Sequence, residues 1–341
     1  MLPLALALAA CPPPTGHVYS ASSPEASRVT QERLQPVLDE HDFHGDLQVS
    51  GGPADGAWSG RGRRWPWASV TKQVVATLVM QEVEAARLSL DAPVTRYMPD
   101  WPAAFRAPTV RQLLRHQSGL ANPDDSPEGA DGFPSAYAEG VSVQYCLLEM
   151  TPPTTDGWRY NNCDYVVLGR LLETVTGTSL DELIRTRIAA PSGWTDTRLY
   201  TLDEVREYHE RDAAYDRRIA GYGSAAALIG PLRDMIGFDR ALLAGKLLSQ
   251  EARSTMWEGD PSLGFMALGQ WSFEAPLAGC ATPVRIVERR GGIGKYQVRN
   301  VILPDRDIVV AIATAQDAFD FGEIWTGRGF MHDTLSAIAC P

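Results

Sequence analysis

Apolar positions along the chain change period twice. Gly45-Asp46-Leu47-Gln48-Val49-Ser50 reads as a short strand, closed by Gly51-Gly52-Pro53. A second strand is expected over 57–63. Ahead of both, Ser23-Pro24-Glu25 marks a helix start with proline in its first turn. That helix should reach about residue 39, with Pro36 predicting a kink or an early stop. From Ser69 the period becomes helical: Gln73-Val74-Val75-Ala76-Thr77-Leu78-Val79-Met80 carries an apolar face, and the helix should end near residue 87. Residues 88–248 stay mainly helical, with clear periodicity at 110–115, 166–175 and 232–243. Loops rich in Pro and Gly fall at 122–134 and 151–157. After Pro261 the period returns to that of strands. Val284-Arg285-Ile286-Val287, Gln297-Val298-Arg299-Asn300-Val301-Ile302-Leu303 and Ile308-Val309-Val310-Ala311-Ile312-Ala313 are separated by turn residues, and 321–339 reads as a closing helix. Strands at both ends around a helical middle predict one α/β (α+β) sheet domain, residues 23–87 plus 250–341, interrupted by an all-helical insertion at 88–249.

Composition narrows the classes. The 341 residues are 44% hydrophobic and 21% charged, so a globular fold is expected. A net charge of −11, with no Lys/Arg-rich run, argues against a nucleic-acid partner. Residues 2–10 are almost entirely apolar and lead into Cys11 and Pro12-Pro13-Pro14, although no Lys or Arg precedes them. Residues 1–11 therefore resemble a bacterial lipoprotein signal in which Cys11 is lipidated, and 12–22 an extended tether. The run is too short to span a bilayer. The expected setting is the bacterial periplasm or cell envelope, with membrane contact only through the lipid anchor. Four further cysteines, Cys146, Cys163, Cys280 and Cys340, allow three pairings. Neighbour pairing gives Cys146–Cys163 and Cys280–Cys340, and four buried thiols are the alternative. No ligand spacing for a metal is present, and no cofactor is expected.

The candidate chemistry begins at Ser69-Val70-Thr71-Lys72. A serine alcohol is a poor nucleophile until a base sits beside it, and i,i+3 spacing puts the Lys72 amine on the serine's side of a helix. Ser-x-x-Lys recurs in the Ser–Lys hydrolases. It also occurs by chance, as a helix cap followed by a solvated lysine. Further segments add weight: Leu88-Ser89-Leu90-Asp91-Ala92-Pro93-Val94, Val110-Arg111-Gln112-Leu113-Leu114-Arg115-His116-Gln117-Ser118-Gly119-Leu120, Tyr160-Asn161-Asn162 and Thr174-Val175-Thr176-Gly177-Thr178-Ser179-Leu180. Together they resemble the penicillin-binding-protein-like serine hydrolases: class C β-lactamases, D-Ala-D-Ala carboxypeptidases, D-aminopeptidases and related esterases. The resemblance covers most of the chain beyond about residue 42. It implies a β-lactamase/transpeptidase-like fold, an antiparallel sheet flanked by N- and C-terminal helices.

The same resemblance assigns roles. Tyr160 becomes the proton-transfer partner and Asn162 an amide gripping the substrate, with Asn161 incidental and Tyr165 core. The family's Lys/His-x-Gly strand matches Arg289-Arg290-Gly291-Gly292-Ile293-Gly294-Lys295-Tyr296. Anchoring on Tyr296 puts Arg289 at the Lys/His position and Gly291 at the glycine. A slip by one residue promotes Arg290. Arginine keeps the charge, offers a fork to a substrate carboxylate and cannot serve as a base. The backbone N–H groups of Ser69 and Gly292 would form the oxyanion hole. Glycine at 291 and 292 would let the substrate approach closely.

Lowering a tyrosine by about three pKa units takes about 4 kcal/mol. A cation at about 4 Å supplies roughly that at an effective dielectric near 20. Lys72 and Arg289 could thus bring Tyr160 toward its phenolate. Of six histidines (His17, His41, His44, His116, His209, His332) only His116 lies in a motif, and in a turn, which disfavours a Ser–His–Asp triad. The expected activity is amide cleavage through an acyl-enzyme on Ser69, acting on D-amino acid peptides or β-lactams. A carboxylesterase, or a non-catalytic envelope lipoprotein binding cell-wall peptide, are the alternatives. The expected partner is a small-molecule or peptide substrate.

Overall fold

A computed structural model of the chain describes residues 19–58, 63–130, 132–201 and 218–340. The signal at 1–11 with Cys11, most of the 12–22 tether, His17, His209 and residues 59–62 of the second predicted strand lie outside the described residues.

Ten strands occur among these residues: β1 (Tyr19–Ala21), β2 (Gly45–Ser50), β3 (Gly56–Trp58), β4 (Trp65–Pro66), β5 (Arg198–Leu199), β6 (Leu228–Gly230), β7 (Trp271–Ala275), β8 (Val284–Ile293), β9 (Tyr296–Leu303) and β10 (Ile308–Thr314). Seven form one antiparallel sheet in the order β1-β3-β2-β10-β9-β8-β7, and β4-β6-β5 form a small second sheet. The alternating side chains of a strand point to opposite faces. In β10 every residue is buried. Ile308, Val310 and Ile312 pack with Leu34, Leu38, Phe330 and Leu335 from the N- and C-terminal helices. Val309, Ala311 and Ala313 pack with Val74, Leu78, Phe238 and Leu242 on the other side. The sheet is thus the middle layer between terminal helices and the helical part of the chain.

Several elements differ from expectation for identifiable reasons. The N-terminal helix does not stop at Pro36. It runs Pro24–Val29, widens into a π turn at Thr30–Leu34 and continues Gln35–Glu40, the wider turn accommodating a residue with no N–H to donate. The closing helix is shorter, Phe330–Ala339, because Gly327 and Gly329 before it take positive φ. The helix after Ser69 spans Thr71–Glu84 and is not amphipathic: residues 71 to 80 are all buried, Lys72 and Gln73 included. It lies between the sheet and the helix Cys163–Thr176, so residues 71 to 80 meet no water on any face and only its last turn is exposed. The helix Leu232–Leu243, assigned from sequence to the insertion, packs on β2 and β10, and Arg240 bonds Asp307 at 2.6 Å and the Ser50 hydroxyl at 3.0 Å. Strand β7 lies outside the three β-type runs expected after Pro261.

The structure pairs Cys146 with Cys163 and Cys280 with Cys340. The second bridge spans 60 residues and ties the chain after β7 to the end of the last helix. Loop-closure entropy assigns such a bridge about 4 kcal/mol. Replacing Cys280 and Cys340 together by alanine should lower stability by about 3–4 kcal/mol, read as a drop in the urea midpoint. An unchanged midpoint would show that the bridge constrains nothing.

Candidate active site

The serine sits on a tight elbow. From β4 the chain passes through Trp67, whose N–H donates to the Leu228 carbonyl at 2.8 Å and whose Nε1 donates to that of Gly230 at 3.2 Å. Its ring meets Trp194 edge-on at 5.0 Å. Ala68 follows at φ 47, a left-handed conformation that costs a non-glycine residue on the order of 1 kcal/mol or more. Ser69 then lies in a one-turn 3-10 segment, Ala68–Val70, leading into the helix Thr71–Glu84. It stays partly exposed while its neighbours are buried.

Lys72 is one turn on, fully buried. Its Nζ lies 3.2 Å from Ser69 Oγ, 2.7 Å from Asn162 Oδ1 and 2.9 Å from the Ala225 carbonyl. Burial holds its pKa well below the usual lysine range. The Arg289 charge adds to this, and Asp124 and Asp164 oppose it. Tyr160 reaches the serine from the loop before the helix Cys163–Thr176, its hydroxyl 2.5 Å from Ser69 Oγ. The expectation of a readily formed tyrosinate is overturned. Burial raises the Tyr160 pKa, and the opposing pull of Arg289 and Ser69 does not cancel it. Removing water from around a phenolate outweighs the cation beside it.

Asn162 is also not free to grip a substrate. It is 3% exposed; its Oδ1 accepts from Lys72, and its Nδ2 bonds Asp124 at 3.2 and 3.1 Å and the Tyr137 hydroxyl at 2.8 Å. It orients the lysine. Asn161 is not incidental: it donates to the Leu120 carbonyl at 2.7 Å and accepts from Cys163 N–H at 2.8 Å, fixing the turn. Tyr165 is buried, donates to the Leu114 carbonyl at 3.1 Å and lies 5.4 Å below Lys72 Nζ.

Strand parity decides the arginine register. Val287 faces the core cluster that holds the Ser69 helix, so Arg289, Gly291 and Ile293 face the same way. Arg290 points to the opposite face, where it pairs with Glu288 at 3.0 Å and Glu323 at 2.5 Å. Arg289 is fully buried, and its Nε donates to the Ser69 carbonyl at 3.1 Å. The guanidinium lies 5.5 Å from the Tyr160 ring centre and 5.2 Å from that of Trp271. Its Nη1 and Nη2 have no hydrogen-bond partner among the described residues. A carboxylate cannot reach it in this arrangement, because rings and strand enclose it. The fork read as a substrate clamp is a brace behind the serine. Gly291 has a comparable correction: a Cβ there would stand 2.5 Å from the Trp67 carbonyl and 3.1 Å from Ser69 N. Its missing side chain brings β8 onto the elbow and serves packing, not substrate approach. Gly292 is exposed and open on its outer side. Strand β7 ends opposite Glu288, so beyond it β8 borders the site with that edge unpaired by any strand among the described residues.

Two groups escaped the sequence reading, and a third, His116, was read only as part of a turn. Asp124, in the one-turn segment Pro123–Asp125, meets Asn162 and Tyr137. Ala225 contributes a carbonyl, which no side chain announces. His116, buried at φ 59, bonds Asp164 at 3.0 Å and packs its ring 4.7 Å from Tyr160, with its pKa pushed down by burial. It stacks behind the tyrosine and bonds Asp164, not the serine.

A beta-lactamase family description matches residues 47–328. The chain belongs to the beta-lactamase family. It is 36% identical over 131 residues to penicillin-binding protein 4 of Amycolatopsis lactamdurans, covering 37% of this chain and 33% of that one. It is 28% identical over 192 residues to a D-aminopeptidase of Cereibacter sphaeroides, covering 52% and 36%. The chain thus spans about a third of the length of each of these relatives. A D-amino acid amidase from Ochrobactrum anthropi has the same fold, with a TM-score of 0.71 at 21% identity over 92% of this chain and 98% of the other.

The close approach at Gly291 is testable. Gly291→Ala should cost about 1–3 kcal/mol of stability through overpacking and remove most Ser69 reactivity, since β8 or the elbow must shift. Full reactivity with unchanged melting would show that the contact is not needed.

Proposed function

We propose that the chain is a serine hydrolase that cleaves amides such as D-amino acid peptides or β-lactams through an ester on Ser69. The observation that carries this is the hydrogen bonding of Lys72. A neutral amine has two N–H donors and one lone pair. Nζ faces three acceptors, Asn162 Oδ1, the Ala225 carbonyl and Ser69 Oγ; as a neutral amine it keeps its two donors on the first two and turns its lone pair to the Ser69 hydroxyl. Burial favours that neutral form. Lys72 then removes the hydroxyl proton as Ser69 Oγ bonds to the acyl carbon. The oxyanion sits at the N–H groups of Ser69 and Gly292. Tyr160, kept a phenol by burial, donates its proton to the leaving nitrogen as the C–N bond breaks, and regains one from Lys72. Water attacks the ester by the reverse relay, releasing the acid and restoring the Ser69 hydroxyl.

A second reading, a carboxylesterase, has one observation in its favour. The buried Arg289 leaves no carboxylate clamp at the serine, and a neutral ester needs none. Residence in the cell envelope through a lipid on Cys11 is part of the same proposal, and the two disulfides accord with an oxidising compartment.

Mass spectrometry after exposure to a fluorophosphonate and, separately, a penicillin tests the chemistry. Both should add to Ser69; reaction with the first alone favours the esterase, and with neither defeats the hydrolase. The pH profile tests the base. Lys72 acts only when deprotonated and its pKa is lowered, so kcat/KM should climb with pH through an ionisation well below the usual lysine value of about 10.4 and then level off. A climb that begins only near the usual value would exclude neutral Lys72 as the resting base.

A further inference from the structure

The helix Cys163–Thr176 begins without the cap its sequence offers. Asn162 stands at the N-cap position, where an asparagine side chain ordinarily accepts from a backbone N–H of the first turn. Here it makes no such bond, because the side chain is taken up by Lys72, Asp124 and the Tyr137 hydroxyl. Helix ends fray, and this one adjoins the chemistry. Asn162 receives Lys72 Nζ at 2.7 Å, and Tyr160, two residues earlier, meets Ser69. The stretch leading up to them gives little support, since no helix or strand lies between the helix Val143–Cys146 and Cys163.

What closes this end is the disulfide Cys146–Cys163, both of whose cysteines are fully buried. Cys163 is the first residue of its helix, so the bridge acts one residue from Asn162. Cys146 ends the helix Val143–Cys146, and its carbonyl accepts from Ala121 N–H at 3.2 Å. The next residue, Asn122, donates from Nδ2 to the Tyr160 carbonyl at 3.3 Å and accepts the Asn162 N–H at 3.4 Å. The bridge thus completes a circuit. It runs from Cys146 to Cys163 through sulfur, along the chain to Asn162, by hydrogen bond to Asn122, and from Ala121 back to Cys146. Tyr160 and Asn162 are both fastened to it. Its hydrogen bonds are long, so the sulfur link is its rigid member. The other disulfide offers a contrast. Cys280 and Cys340 pack on the terminal-helix side of the sheet, whereas Cys146 and Cys163 pack in the cluster around the Ser69 helix.

We propose that the Cys146–Cys163 disulfide is a positioning element of the active site, holding Asn162 and Tyr160 against Lys72 and Ser69, so that full reactivity of the serine requires the closed bridge. This rests on the serine-hydrolase reading and deepens it, because full activity then belongs to the oxidised chain. A shift of about 1 Å in a positioned group costs on the order of 100-fold in rate. The titratable and charged groups around Lys72 are Tyr160, Tyr165, His116, Arg289, Asp124 and Asp164. Loosening the turn beside Tyr160 lets water reach the amine, which returns its proton affinity toward the ordinary lysine range.

The test measures the rate of fluorophosphonate labelling of Ser69 against pH, well below the melting temperature. It compares the unaltered protein with the double variants Cys146→Ala/Cys163→Ala and Cys280→Ala/Cys340→Ala. Both variants should melt lower. The first should label about 10- to 100-fold more slowly, with the rising limb of its profile moved to higher pH, and the second should keep both rate and limb. A first variant that melts lower yet keeps the rate and profile of the unaltered protein overturns the proposal, and so do equal changes in both variants. Should the first variant fail to fold, dithiothreitol is applied to the unaltered protein, each disulfide opening to two thiols as the reagent closes to its cyclic disulfide. Mass spectrometry follows the two bridges while labelling is sampled. Reactivity should fall in step with the opening of Cys146–Cys163, and a serine that labels undiminished with that bridge open refutes the assignment. Failure of the underlying reading looks different. An unlabelled serine in the unaltered, oxidised protein removes the hydrolase and this inference with it, whereas normal labelling that ignores the bridge removes only the positioning role.

Discussion

The site depends on the burial of one amine. Lys72 has no solvent contact, so its charged form would have to give up the water that stabilises an ammonium, with the fixed Arg289 cation nearby. Its charge state is therefore set by the fold. The same burial demands acceptors for the remaining N–H groups, which Asn162 and the Ala225 carbonyl provide from two separate loops. Misplacing either loop would leave a buried polar group unpaired, at about 1–3 kcal/mol. The cost of an unpaired amine thus holds the helical layer in register with the serine.

A second constraint acts from the sheet side. Strand β8 must come within van der Waals distance of the elbow at Trp67–Ser69, and only a residue without a side chain permits it at 291. That contact also puts Arg289 against the Ser69 carbonyl and between the Tyr160 and Trp271 rings. The arginine's charge faces two rings and the Ser69 carbonyl, not a carboxylate, and it lowers the affinity of Lys72 and His116 for protons. Brace and electrostatic tuning are one interaction. Arginine in place of lysine or histidine keeps the cation permanent, since a guanidinium does not release its proton in the working range.

Much of the fold was legible because its signals are local. The strand at Gly45–Ser50, the helix cap at Ser23, and the helices Cys163–Thr176 and Leu232–Leu243 follow from period and turn residues within a few positions. What escaped is what depends on partners distant in sequence. The all-round burial of the Ser69 helix follows from layers on both sides of it, and the short strands β4 to β6 exist because they pair with one another. The role of Asn162 shifted from substrate to lysine for the same reason: Asp124 and Tyr137 lie 38 and 25 residues away.

By itself the sequence determined which groups could react. The spacing of Ser69 and Lys72 is a property of one helical turn, and the Tyr160-Asn161-Asn162 triplet and the glycines after Arg290 are legible in order. The tertiary structure decided what those groups are. It made Lys72 a free-base candidate and Tyr160 a phenol, turned Arg289 inward and Arg290 outward, and left Asp124 as the exposed charge. Protonation and exposure depend on how much water the whole fold excludes and on charges brought together from distant segments, and no local pattern encodes either.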